Sequence, residues 1–157
     1  MEQAFINTPL GNCLIEGDEN GVSKIWVLDE AAQLSATIPD SLKDAVEQLN
    51  DYFTGKRKSF EFKLNPSGTD FQKKVWQALL QIPFGKTMSY HELSVKLGDV
   101  KAIRAVASAN GKNPLWVVVP CHRVIGSDGS LTGYAGGLWR KKWLLEHETP
   151  PIQQSLF

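Results

Sequence analysis

The apolar residues of this chain change their spacing at the run Asn65, Pro66, Ser67, Gly68, and that change limits the fold more than any other feature. Before the run, "AFINTPLGNCLIEGD" and "GVSKIWVLD" read as a strand pair, with glycine and asparagine punctuating the turn. "SLKDAVEQLNDYF" sets Leu42, Val46, Leu49 and Phe53 at helical spacing and stops at Gly55. "SFEFKL" alternates as a strand does. After the run most of the spacing is helical. The expectation is an α+β chain: a small N-terminal α/β domain over residues 1–64, a mostly helical C-terminal domain over 65–149, and a flexible tail over 150–157. A length of 157 residues suits one or two small domains with a real core.

The helical half carries two capping boxes. Thr69 and Gln72 precede Phe71, Val75, Trp76, Leu79 and Leu80, and "PFGK" ends that helix. Ser89 and Glu92 open "YHELSVKL", and Gly98 turns the chain into "VKAIRAVASAN". A short helix, a glycine turn and a second helix with Lys101 and Arg104 have the form of a helix-turn-helix, a form that plain helix packing also produces. Lys101, Arg104 and Ser108 share one face of the second helix, with Ala102, Ala105 and Ala109 beside them. Such small residues let a backbone approach a partner closely, or let two helices pack through alanine. A strand "WVVV", a glycine-rich loop "GSDGSLTGYAGG" and a last helix "LWRKKWLLEHE" follow, which puts Cys121 at a strand end.

The formal net charge is zero, but its distribution is uneven. Lys24 and Lys43 stand against Glu16, Asp18, Glu19, Asp29 and Glu30 early in the chain. Later, Lys101, Arg104, Lys112, Arg123, Arg140, Lys141 and Lys142 outweigh Asp128, Glu146 and Glu148. This is either a basic face for an anionic partner or a chance distribution over a solvated surface. No apolar run approaches the ~20 residues of a membrane span. "MEQAFINTPLGN" has neither the basic flank nor the apolar run of a signal peptide. Cys13 and Cys121 lie far apart and form no zinc-ligand spacing with the histidines. Free thiols in a reducing cytoplasm, with no bound metal or cofactor, are expected.

The chemistry concentrates in "NPLWVVVPCHRVIG". A thiol is a poor nucleophile until it loses its proton, and neighbouring bases and cations help it do so. His122 can accept that proton, directly or through one water, and an imidazole in this role needs an orienting carboxylate. Glu148 is the candidate, because the last helix returns after the glycine loop. Pro120 removes a backbone donor and favours an extended Val119. A buried, inert cysteine is the alternative that the pair Cys121–His122 alone leaves open.

The segment "NPLWVVVPCHRVIGSDGSLTGYAGGLWRKKWLLEHE" resembles the active-site region of the O6-alkylguanine-DNA alkyltransferases, the methylated-DNA–protein-cysteine methyltransferases. "FQKKVWQALLQIPFGKTMSYHELSVKLG" and "IRAVASANGKNP" fall in the same family order. The likeness is close from about residue 69 to Glu148 and loose, in element order only, over the first sixty residues. It implies direct, single-turnover transfer of an alkyl group from O6-alkylguanine, and from O4-alkylthymine in some members, in double-stranded DNA to the protein's own cysteine after base flipping. By position, Cys121 resembles the alkyl acceptor, and His122 and Glu148 its proton relay. Asn113 resembles the residue that holds the active-site turn, and Tyr90 the phenol that donates to guanine N3. The backbone around Cys121, Val124 and Ala135 resembles the part that reads the guanine edge, and Tyr134 belongs to the loop lining the pocket. Arg104 resembles the finger that fills the space of the extruded nucleotide, with Lys101, Ala102, Ala105 and Ser127 on the DNA side. Minor-groove entry by the second helix suits its small alanines.

The chain departs from some relatives. Trp116 stands where some have proline and Ala135 where some have serine, which leaves the accepted alkyl size open, and the N-terminal zinc ligands of some members have no counterpart. Two other functions compete. A non-catalytic binding protein for alkylated DNA would lack the acceptor, yet Cys121 is present. A thiol hydrolase usually draws its histidine from a distant part of the chain. The tail "PPIQQSLF" resembles the short peptide by which bacterial repair proteins dock on the sliding clamp, through Gln153, Leu156 and Phe157. Packing of Leu156 and Phe157 on the chain's own surface is the alternative. A monomer is expected.

Overall fold

A computed structural model describes residues 1–131 and 133–149. Gln153, Leu156 and Phe157 of the tail, with the docking expected of them, lie outside the described residues. The described residues divide into two compact units, Met1–Ser67 with Pro114–Val118, and Gly68–Asn113 with the part from Val119 on.

In the first unit, "AFINTPLGNCLIEGD" is not one strand but two. Strands β1 (Glu2–Thr8), β2 (Gly11–Asp18) and β3 (Gly21–Val27) form an antiparallel sheet in that order. The break lies at Pro9, which has no N–H for a ladder. Thr8 tightens the turn: its Oγ1 accepts from Leu10 N at 3.1 Å and donates to Gly11 O at 2.7 Å. Side chains then alternate, and Ala4, Ile6, Cys13, Ile15, Ile25 and Val27 bury one face. Helix α1 (Lys43–Phe53) adds Ala45, Leu49, Tyr52 and Phe53 to this core. "SFEFKL" forms no strand. Phe60, Phe62 and Leu64 are half-buried by turns, but pairing is confined to a parallel bridge of Leu64 with Val22. Alternation decides which side chains are covered, while a ladder also needs a partner strand in register.

In the second unit, α2 (Asp70–Leu79) and α3 (Tyr90–Lys96) both begin at complete capping boxes, Thr69 with Gln72 and Ser89 with Glu92. Leu97, Gly98 and Asp99 lead from α3 to α4 (Ile103–Gly111), and Gly98 takes φ +92°, a conformation that suits a residue without Cβ. Lys101 and Ala102 sit in a 3₁₀ turn ahead of α4, capped by Asp99, which accepts from Lys101 N at 2.9 Å. Trp76 of α2 donates from Nε1 to Ala109 O of α4 at 2.9 Å, and Ala109 is buried, so at this position the second of the two readings holds and the helices pack through alanine. Helix α5 (Leu138–Glu148) closes the unit.

The stretch "WVVV" is a second departure. Val118 N bonds Trp116 O at 2.9 Å across Val117, whose φ is +71°, a γ-turn on a β-branched residue. That backbone is strained by about 1–3 kcal/mol. Cys121 N then bonds Val119 O at 2.8 Å across Pro120 (φ −82°, ψ 62°), a γ-turn of the unstrained hand. Cys121–Arg123 form one 3₁₀ turn, and the strand follows the cysteine: β5 (Val124–Ile125) pairs parallel with β4 (Met88–Ser89). The β-preference of valine reflects its fit among neighbouring strands. Pairing here is confined to a parallel bridge of Leu115 with Ile25, in which Trp116 N bonds Ile25 O at 3.0 Å, and residues 116–119 bury their side chains in turns.

Candidate active site

Two consecutive turns and one 3₁₀ turn place the Cys121 thiol, and Asn113 fastens them. Asn113 Nδ2 donates to Val119 O at 2.7 Å and to Cys121 Sγ at 3.3 Å. The Tyr134 side chain also favours the thiolate. His122, fully buried, meets Glu148 of α5 at 2.8 Å between Nε2 and Oε2. Arg123 locks the same carboxylate with two bonds, Nε to Oε1 at 2.7 Å and Nη2 to Oε2 at 3.0 Å, and donates from Nη1 to Ile82 O at 2.7 Å. A fully buried Lys141 donates to Val124 O at 2.7 Å and acts electrostatically on the thiol.

These contacts fix protonation. Burial alone would raise the Glu148 carboxyl, but His122 and Arg123 outweigh it and hold the group well below the usual range. Glu148 is therefore an acceptor only, so His122 donates from Nε2 and keeps a lone pair on Nδ1. Nδ1 is buried without a hydrogen-bond partner among the described residues. Burial also holds the imidazole below its usual value, against the pull of Glu148, which leaves a neutral base at neutral pH. The Cys121 thiol is pushed up by burial, with Asn113, Lys141 and Tyr134 acting the other way. The resting thiol is thus protonated, beside donors and a cation that would favour a thiolate.

The other expected residues are placed as follows. Tyr90, half-buried at the start of α3, accepts from Asn110 Nδ2 at 3.4 Å. Arg104 and Ala105 are exposed on the first turn of α4, Lys101 is exposed just ahead of it, and Ala102 is half-buried. Ala135 and Ser127 are exposed on the loop before α5, and Val124 is buried. Trp116, expected in the pocket, is 1 % exposed and packs on Phe53 within the first unit, with ring centroids 5.8 Å apart. The expected basic face loses Arg123, Arg140 and Lys141, which are buried. Buried cations need partners, and these have carboxylate or carbonyl oxygens. Lys141, Arg123 and Asn110 are site residues that the sequence reading missed. Lys141, Leu144 and Glu148 lie at i, i+3 and i+7, one helix face, and that spacing was the available signal.

A buried thiol beside a neutral histidine, with a carboxylate behind it and a helix pair alongside, defines a class of cysteine-nucleophile domain. Family models extend the likeness to nearly the whole chain: the DNA binding domain of 6-O-methylguanine DNA methyltransferase matches residues 70–150, and the ribonuclease-like domain of the same family matches residues 1–66. The chain belongs to the 6-O-methylguanine DNA methyltransferase family. It is 46% identical to the methylated-DNA–protein-cysteine methyltransferase of Methanosarcina barkeri, over 94% of this chain and 97% of that one. The protein of the same name from Mycobacterium bovis is 45% identical, over 97% and 96%. The solved Mycobacterium tuberculosis O6-methylguanine methyltransferase superposes with a TM-score of 0.83 at 40% identity, covering 99% of each chain. A structure of the Mycobacterium tuberculosis protein in complex with DNA gives 0.85 at 43%, covering 94% and 93%. The N-terminal likeness is therefore stronger than element order alone.

Proposed function

We infer that this protein repairs DNA by moving the alkyl group of O6-alkylguanine onto Cys121, once per molecule. The observation that carries the reading is the buried chain Cys121, His122, Glu148, Arg123 inside a matched family domain. The thiol proton goes to His122 Nδ1, directly or through one water. Cys121 Sγ attacks the alkyl carbon, the S–C bond forms, and the C–O6 bond breaks. Glu148 holds the imidazolium as it develops. Tyr90 donates to guanine N3 as charge builds on the leaving base. Asn113 holds the turn and, with Lys141, stabilises the thiolate. The base leaves the stack to reach a thiol that is only 7 % exposed, and Arg104 fills the space it vacates. The thioether product has no carbonyl for water to attack, so the reaction ends there. Incubation with a duplex carrying O6-methylguanine, followed by intact mass, tests this: one methyl gained at Cys121 is expected, and tight binding without a mass change would favour the non-catalytic reading.

Double-stranded DNA is the partner, held mainly through phosphates and therefore with strong salt dependence. The protein acts as a monomer in the cytoplasm; among the described residues no helix is long and apolar enough to cross a membrane. The tail "QQSLF" supports docking on a sliding clamp. The full chain should bind purified clamp, and a Leu156→Ala, Phe157→Ala double variant should not; equal binding, or none by either, would end that idea.

A further inference from the structure

Asn110 is 3 % exposed at the C-terminal end of α4, and its two amide atoms are in different situations. Nδ2 donates to the Tyr90 phenol oxygen at 3.4 Å. Oδ1 is buried with no hydrogen-bond partner among the described residues. A buried carbonyl oxygen without a donor costs free energy, and a bound donor recovers it. Because the phenol oxygen accepts from Nδ2, its own hydrogen is left for another acceptor. The pair therefore presents one donor, the Tyr90 O–H, and one acceptor, Asn110 Oδ1, side by side.

Guanine carries the complement on one edge. N3 is an acceptor, and the exocyclic 2-amino group on the adjacent carbon is a donor. We propose that Asn110 is a specificity-determining residue that reads the 2-amino group of the extruded guanine through Oδ1 while Tyr90 donates to N3. The proposal rests on the alkyl-transfer reading above. It also gives α4 two tasks. Arg104, exposed on its first turn, lies six residues before Asn110, ~9 Å along the axis. The finger that empties the stack and the residue that reads the emptied base thus move as one rigid element.

O6-methylhypoxanthine lacks the 2-amino group and is otherwise the same base. The full-length protein is offered a mixture of two duplexes, one with O6-methylguanine and one with O6-(trideuteriomethyl)hypoxanthine. The masses of the Cys121 peptide give the ratio of transfer from each, which does not depend on the active fraction of the protein. The unsubstituted chain should prefer guanine. In Asn110→Ala and Asn110→Leu the preference should fall about three- to tenfold, the effect of one lost hydrogen bond. An unchanged ratio in the variants, no guanine preference in the unsubstituted chain, or equal loss of both transfers in both variants would overturn the proposal. Absence of transfer from either duplex by the unsubstituted chain would instead sink the alkyl-transfer reading itself.

Discussion

Cys13 and Cys121 are both buried thiols, and their surroundings give them opposite chemistry. Cys13 sits on the core face of β2, paired across the sheet with Ile6 and Val27. Burial pushes its thiol up to about 12, with a single backbone bond from Trp26 opposing. Among the described residues no base, carboxylate or cation is in polar contact with it, and it behaves as a small apolar side chain. Cys121 suffers the same desolvation but stands among Asn113, Tyr134, Lys141 and the histidine next in the chain. The lesson is that burial alone makes a thiol inert. What makes one reactive is a set of groups that stabilise its anion and take its proton.

The sharpest way to break this contrast is to remove each thiol in turn. Cys121→Ala should abolish alkyl uptake, read by intact mass, while leaving DNA binding largely in place, since Lys101 and Arg104 lie on other elements. Cys13→Ala should keep full single-turnover uptake. A methyl found on the Cys121→Ala protein would show that the wrong thiol was chosen.

Removing the support of Cys121 should cost nearly as much. Glu148→Ala leaves Arg123 buried without its carboxylate and His122 without its anchor. Transfer should slow by about 10²-fold or more, and urea unfolding should report a loss of about 3–5 kcal/mol. A variant that transfers at the normal rate would separate His122 from the chemistry.

Arg104→Ala should slow repair of duplex DNA by about tenfold while hardly changing alkylation by the free modified base, which needs no extrusion. Stopped single-turnover assays on both substrates decide it, and equal losses would remove the finger role.

The acid side of the stability profile sharpens the comparison further. Glu148 is held below its ordinary 4.5 in the fold, so its contribution is complete above that value and is lost as pH falls toward the folded value. His122 is held below 6.5, so the fold resists its protonation, and stability also falls as pH drops below 6.5. Both slopes have the same sign. Urea midpoints taken from pH 7.5 downward should decline, and Glu148→Gln should flatten the curve below 4.5, where the carboxyl's own contribution is lost, while the decline below 6.5 that belongs to His122 stays. Cys13→Ala should not alter its shape. The smallest effect belongs to that last variant, whose overall stability should drop by ~1 kcal/mol, the usual result of trimming one small core side chain.

Much of this molecule was legible in its sequence. The capping boxes at Thr69 and Ser89, the glycine turn at Gly98 and the helix ending at Glu148 are local features, set by bonds within a few residues, and the structure has them. The proximity of Glu148 to His122 followed from a helix returning after a loop. Other features were invisible for a physical reason. "WVVV" and "SFEFKL" have strand composition, but a strand exists only where another strand offers its edge, and that is decided by distant chain. Arg123 and Lys141 look like surface cations until folding surrounds them with Glu148 and the Val124 carbonyl. Asn110 has no motif at all. The sequence by itself determined the helices, their caps and the residue types around the thiol. Tertiary structure alone decided which polar groups are buried, since desolvation and its compensation depend on residues far apart in the chain.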